Sequence, residues 1–277
     1  MAMSLSKSLQ ELPEYRHVLG NLIIRDLKVK YQSKTLGFLW SLLHPAILIG
    51  IWYIVFSLRV FSFHMEHYWA FLICGIIPFR FIQESISEGA WSVRKNSAII
   101  RKVYVPMEIL VIATITAKFV DFVLQLFVAI VLLAILHHGT ESGFSFYKTF
   151  VVLPGAMLLT YIFILGICMP LAGWTVIYRD LDHLIGLFMT ASFYITPIFW
   201  WREPESIKAK LGFALNPFMA LVELYRGPMY KGTWPSNVAV GGSAVATWGI
   251  AMMYAFGALL IGYLLLGYVK NQLAEVV

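Results

Sequence analysis

Charge is what this chain has least of. Asp, Glu, Lys and Arg make up 13% of its 277 residues, where a soluble domain carries about 25%, so a water-solvated globule is excluded as its fold. Cysteine is nearly absent too. Cys74 and Cys168 each fall inside an apolar segment, which argues against a disulfide or metal pair and marks them as packing residues. No G-x-x-x-x-G-K-[ST] phosphate loop occurs, so if ATP drives this protein, another chain must bind it. Strand-like alternation does not dominate, which counts against an outer-membrane barrel. The first 35 residues lack the short apolar core and small-residue cleavage site of a signal peptide. The N-terminus is therefore expected to stay attached, on the cytoplasmic side. The net charge of +6 does not point to nucleic acid, because Lys and Arg gather at the ends of apolar runs, as in a membrane protein.

What the chain has in abundance is apolar length. Hydrophobic residues reach 60%, the mean hydropathy is +0.76, and runs of about 20 residues recur, each enough to cross a bilayer core of about 30 Å. The passage from water into hydrocarbon is clearest at Lys30–Pro45, KYQSKTLGFLWSLLHP. There a basic polar run ends at Lys34, an apolar run begins at Leu36, and Trp40 sits at headgroup level. The pattern predicts an all-α polytopic membrane protein with six transmembrane helices, an N-terminal amphipathic interface helix and short re-entrant outer helices before the last span.

Along the chain, residues 1–35 form a cytoplasmic tail and an interfacial helix, and residues 36–277 the transmembrane domain. Tyr15, Val18, Leu19, Leu22 and Ile23 follow the i, i+3, i+4, i+7, i+8 template, flanked by Arg16, Arg25, Lys28 and Lys30, the pattern of a helix lying in the membrane interface. Spans are expected at 36–58, from Tyr68, at 107–136, 149–177, 183–200 and 238–269. The second turns polar after Ile77 with Arg80, Gln83, Glu84 and Glu88. Lipid solvates such groups poorly, so that face should meet protein or a water-filled path. Residues 89–106 carry Arg94, Lys95, Arg101 and Lys102 and read as a cytoplasmic helix-turn element. The segment 201–235 is too broken for one span. Its piece 214–225, ALNPFMALVELY, is about half a bilayer long and reads as re-entrant.

Several clusters invite a chemical reading. Asp180-Leu181-Asp182-His183 has the D-x-D spacing that some glycosyltransferases use for a metal and a sugar nucleotide; capping of the next helix and pairing with Arg179 is the simpler reading. His137-His138 with Glu141, and His64 with Glu66 and His67, lack supporting ligands for a metal site. Lys118 and Asp121 share a face of the third span, as a neutralising pair or a substrate contact. Trp52, Tyr53 and Phe56 are expected on one face of the first span, with Phe193, Tyr194 and Phe199–Trp201 at the outer end of the fifth. They read either as an interface belt or as rings along which a glycan slides.

The runs RDLKVKYQSKTLGFLWSLLHP, IIRKVYVPMEIL and LNPFMALVELYR together closely resemble the permease subunits of bacterial ABC exporters for polysaccharides, over essentially the whole chain. The resemblance implies a homodimer of six-span subunits in the bacterial cytoplasmic (inner) membrane, with two copies of a separate ATP-binding cassette subunit beneath. ATP and Mg would sit on that partner, and no cofactor on this chain. Ile99, Ile100, Arg101, Lys102, Val103 and Tyr104 would match the coupling helix. Asn216, Pro217, Glu223 and Arg226 would belong to an outer gate. A substrate path would involve Trp52, Tyr53, Phe56, Arg80, Glu84, Glu88 and Tyr194. The cargo implied is a lipid-linked glycan of O-antigen type, with teichoic acid or capsule as alternatives. A membrane-embedded glycosyl- or acyltransferase using Asp180 and Asp182 is the alternative of another class.

Overall fold

The computed structural model describes residues 15–32, 39–57, 67–100, 105–136, 144–200, 206–236 and 242–276, and among them every regular element is helical. In chain order these are α1 (Arg16–Gln32), α2 (Leu39–Ser57), α3 (Tyr68–Lys95), the single turn α4 (Ser97–Ile100), α5 (Met107–Leu136) and α6 (Phe146–Ile177). There follow α7 (Leu181–Ile195), α8 (Ile207–Ala214), α9 (Pro217–Arg226), a π-helical turn over Gly227–Lys231 and α10 (Ala244–Val276).

Among the described residues, four stretches are long and apolar enough to cross a membrane: Tyr68–Ile100, Met107–Ile135, Phe146–Ile177 and Ala244–Gln272. They are the second, third, fourth and sixth of the expected spans. The other two are shorter, with apolar stretches Leu42–Val55 and Leu181–Ile195. At 1.5 Å per residue, α7 is about 22 Å long, short of a hydrocarbon core of about 30 Å. Among the described residues, length and composition establish four spanning helices.

The helix α3 stands at the centre. In its apolar window 78% of residues are buried, against 22–44% in the other three, and it packs on α2, α5, α6, α7 and α9. Helices in lipid gain little by hiding apolar area from one another, so close packing decides which faces meet. The α6–α10 crossing shows this. A Cβ on Gly166 would overlap the backbone of Ala258 and Leu259, and one on Gly262 would overlap the Gly166 carbonyl. Gly89 of α3 likewise makes room for Cys168 of α6, whose Sγ would lie 2.7 Å from an added Cβ. Both cysteines are buried free thiols. Through Pro154 and Pro170 α6 stays one helix.

Two boundaries differ from the sequence reading. Residues 89–95 continue α3 rather than opening a separate helix-turn element; the helix stops at Asn96, whose N–H bonds the Val93 carbonyl at 3.2 Å. Arg94 and Lys95 suit the negative end of the helix dipole and so extend the helix. The last helix runs past Lys270 to Val276. The apolar stripe of α1 does bury: Leu22 is 6% exposed, and Tyr15, Val18, Leu19 and Ile23 pack against the core. What the stripe meets is protein, since α1 packs chiefly on α5.

Candidate functional site

A polar cavity of about 530 Å³ lies among α1, α2, α3 and α5. The acids Asp26, Glu84 and Glu88, the bases Lys30, Arg80, Lys95 and Lys118, and the polar residues His44, Thr114 and Gln125 line it. Local sequence explains why α3 can supply three of the charges. Arg80, Glu84 and Glu88 recur every four residues and share one helix face, while the opposite face carries the buried Phe79, Ile82 and Ile86. Arg80 pairs with Glu84. Lys118 of α5 reaches both carboxylates, Glu84 at 3.3 Å and Glu88. Asp121, midway along α5 and 2% exposed, accepts from Lys30 Nζ at 2.5 Å, Tyr31 hydroxyl at 2.6 Å and Gln125 Nε2 at 2.8 Å. Nearer the end of α3, Arg25 donates to Asn96 Oδ1 and Asp26 Oδ1, both at 2.8 Å, and Lys95 stands 4.0 Å from Asp26.

Lys118 and Asp121 do share a face, but they do not pair with each other. Each takes a partner from another helix, Lys118 from α3 and Asp121 from α1. The part of α1 went unread in the sequence, where Lys30 looked like a flank of the stripe. The available signal was a carboxylate in mid-span, which needs a cation from somewhere.

A second ionic cluster surrounds α9. Asn216 caps this helix, its Oδ1 accepting from the N–H of Phe218 at 3.0 Å and Met219 at 3.2 Å, while its Nδ2 donates to Thr196 Oγ1 at 2.9 Å. Pro217 occupies the first turn, where its missing N–H is not needed. Glu223 is 0% and Arg226 1% exposed. Arg226 donates to Glu223 Oε1 at 3.2 Å and to the Ile198 carbonyl at 2.7 Å, and its guanidinium lies 3.9 Å from the centre of the Phe71 ring. Lys231 approaches the other Glu223 oxygen at 3.4 Å. Gly75 permits this approach: a Cβ there would fall 2.6 Å from Arg226 Nη2 and 2.9 Å from the Ile198 oxygen.

The aromatic set divides. Trp52 stacks on Phe199 with centroids 4.1 Å apart, whereas the neighbouring Tyr53 is 45% exposed. Trp52 and Tyr53 therefore do not share one face; adjacent helical residues point about 100° apart. The Phe56 side chain lies outside the described residues. Tyr194 is 54% exposed and meets Phe193 and Phe199 edge-on at 5.4 and 5.8 Å. Of the coupling residues, Ile99 packs against the core and Ile100 is 36% exposed; Arg101, Lys102, Val103 and Tyr104 lie outside the described residues. So do His64, Glu66, His137, His138 and Glu141. Asp180 takes the capping position of α7 without a side-chain cap bond, and one Asp182 oxygen, Oδ1, is buried without a partner.

A multi-pass helical membrane protein with a charged cavity between its helices is the class this arrangement defines. No family model matches the chain. Within the class, the chain resembles the permease subunits of polysaccharide ABC exporters, as its motifs foretell. It is 28% identical to the O-antigen export system permease protein RfbA of Myxococcus xanthus, over 82% of this chain and 85% of that protein. Two proteins of the same name from Klebsiella pneumoniae are similar as well. One is 26% identical over 76% of this chain and 78% of its own length, the other 24% identical over 91% and 92%.

Proposed function

We propose that this chain is the transmembrane permease subunit of an ABC exporter that moves a lipid-linked polysaccharide of O-antigen type across the cytoplasmic membrane, powered by a separate ATPase. The observation that carries the reading is the similarity to three O-antigen export permeases along most of the chain. Two features of the chain agree with it: it has no phosphate loop, and it keeps a charged cavity inside an apolar helical body.

In this reading α2 and α7 complete six crossings together with the residues that flank them. Both termini face the cytoplasm, two copies associate, and two ATPase subunits dock from below, holding ATP and Mg. Ile99, Ile100, Arg101, Lys102, Val103 and Tyr104 make the contact with the ATPase. Arg80, Glu84 and Glu88 form a wetted wall of the path, with Tyr53, Phe56 and Tyr194 as sugar-contacting rings. Trp52 supports them through Phe199. Asn216, Pro217, Glu223 and Arg226 hold the outer gate. The transferase alternative draws on the unpartnered Asp182 oxygen; it requires glycosyl or acyl transfer without any ATPase, lost in Asp182→Asn.

The deciding experiment reconstitutes this chain with a candidate ATP-binding cassette subunit and measures glycan export and ATP hydrolysis. Ile100→Asp, or Arg101→Glu with Lys102→Glu, should leave membrane insertion intact and abolish both. Normal export in these variants would overturn the docking assignment, and export without ATP would overturn the transporter class.

A further inference from the structure

Among the described residues, the charged groups of the cavity and their ion-pair partners form a nearly closed set. The bases are Arg25, Lys30, Arg80, Lys95 and Lys118, and the acids Asp26, Glu84, Glu88 and Asp121. One positive charge is left over. Its place follows from the distances. Arg80, Glu84, Lys118 and Glu88 balance as a chain, and Lys30 balances Asp121. Asp26 is taken by Arg25 through two bonds, Nε at 3.1 Å and Nη2 at 2.8 Å. Lys95 is thus left with Asp26 at 4.0 Å, and its side chain is 47% exposed. The surplus charge sits on Lys95, at the mouth.

A second, independent observation lies deeper in. Thr114 lines the cavity and is 2% exposed, and its hydroxyl has no hydrogen-bond partner. It stands one turn before Lys118 on the same face of α5. An unmade hydrogen bond at such a position costs about as much as the bond is worth, so the hydroxyl is set for something that is brought in. Apolar residues continue the wall beside these groups: Leu27, Val29 and Pro45 line the cavity, and Ile24, Ile47 and Ile51 are exposed on α1 and α2.

We propose that the cavity binds the phosphodiester of an anionic membrane lipid, with Lys95 as its counter-charge, Thr114 as a hydrogen-bond donor, and the acyl chains lying along the exposed apolar residues of α1 and α2. The match is in charge and in shape. A phosphodiester carries one negative charge, the amount that the described residues of the cavity leave uncompensated, and apolar residues of α1 and α2 stand beside the charged lining, as acyl chains stand beside a headgroup. The inference goes beyond the export reading and does not rest on it, because its readout is lipid retention without ATPase or glycan.

The test is native mass spectrometry of the full chain in detergent, titrated with dioleoyl phosphatidylglycerol or dioleoyl phosphatidylcholine. Phosphatidylglycerol should be retained in preference. Lys95→Met should weaken its binding about fivefold, the effect of one cation near an anionic lipid surface. Lys95→Arg should restore it, which a mere folding defect would not allow, and Thr114→Val should weaken it while Thr114→Ser does not. Arg179→Met, at an exposed turn, serves as the control and should change nothing. Equal retention of phosphatidylcholine, or an equal loss in Arg179→Met, would overturn the proposal. Displacement of the lipid by soluble glycerophosphoglycerol at low concentration would overturn its lipid part and identify a free phosphodiester as the ligand.

Discussion

Arg226 offers the sharpest test of how α9 is held against α3. Arg226 is 1% exposed; its two Nη atoms are held by Glu223 and the Ile198 carbonyl and its plane by the face of Phe71, while Nε is buried without a hydrogen-bond partner. Arg226→Met keeps an apolar stem over Phe71 but removes the bond to Ile198 and leaves Glu223 buried with Lys231 alone, at 3.4 Å. Breaking a buried ion pair from one side costs about 3–5 kcal/mol, because the remaining charge has no water. Lys231 compensates in part, which places the expected loss near about 3 kcal/mol, the low end of that range. For a chain of this size that corresponds to a fall in melting temperature of roughly 6–12 °C. Replacing both charges, as Arg226→Met with Glu223→Leu, should recover most of the loss, since a buried pair and an apolar pair of similar volume are often close in energy. The chain carries its own reporter. Cys74, on α3 and 1% exposed, becomes reactive to a thiol-sensitive fluorophore as the helices separate, in a Cys168→Ser background. An Arg226→Met melt within about 2 °C of the parent, or a double variant less stable than either single one, would refute the reasoning.

Two other outcomes follow from the geometry. Asp121→Lys alone should abolish accumulation of folded protein, and Lys30→Asp added to it should restore monodisperse protein on size exclusion; failure of the swap in both measures would mean that the Lys30–Asp121 contact is not what fixes α1. Cysteine at Ser236 should react with an impermeant maleimide in intact cells and at Ser97 only after permeabilisation, whereas labelling of Ser97 in sealed cells would invert the proposed topology.

The helical class, the four long spans and the packing role of the cysteines were legible in the sequence because they depend on local composition and length. The α1 stripe was legible for the same reason, but its counterpart was not. A period of 3.6 shows which residues turn away from water and says nothing of whether lipid or protein receives them. The charge pairing was the least legible part. Lys118 and Asp121 are three apart, and a one-dimensional reading joins neighbours, while the fold joins each to residues 34 and 91 positions away. Gly75 shows the same limit: its role is set by Arg226, which folds back upon it from α9.

The distribution of polar ties predicts where the molecule moves. Helices α1 and α5 are fastened to each other and to α3 and its cap by part-buried charged hydrogen bonds, through Lys30 and Asp121, Lys118 and Glu84, and Arg25 and Asn96, while α9 is tied to α3 by the Arg226 guanidinium lying on the Phe71 ring. Such bonds are directional and are stronger where water is excluded, so a small rotation costs much of their energy. The α6–α10 pair is locked by backbone contact at Gly166 and Gly262. By contrast α2 and α7 meet the body through rings, Trp52 on Phe199 and Phe193 beside Phe79. Ring contacts tolerate sliding, being worth only about 0.5–1.5 kcal/mol beyond area burial. Among the described residues these two helices also carry the shorter apolar stretches, and α7 exposes Leu184, Leu187, Phe188, Tyr194 and Ile195. Hydrogen–deuterium exchange of the purified chain should therefore show α3, α5, α6 and α9 protected together and α2 and α7 exchanging faster, even though all are apolar. If α9 exchanged as fast as α7, the Arg226 contact with Phe71 would not hold it to α3, and α9 would itself be the moving part.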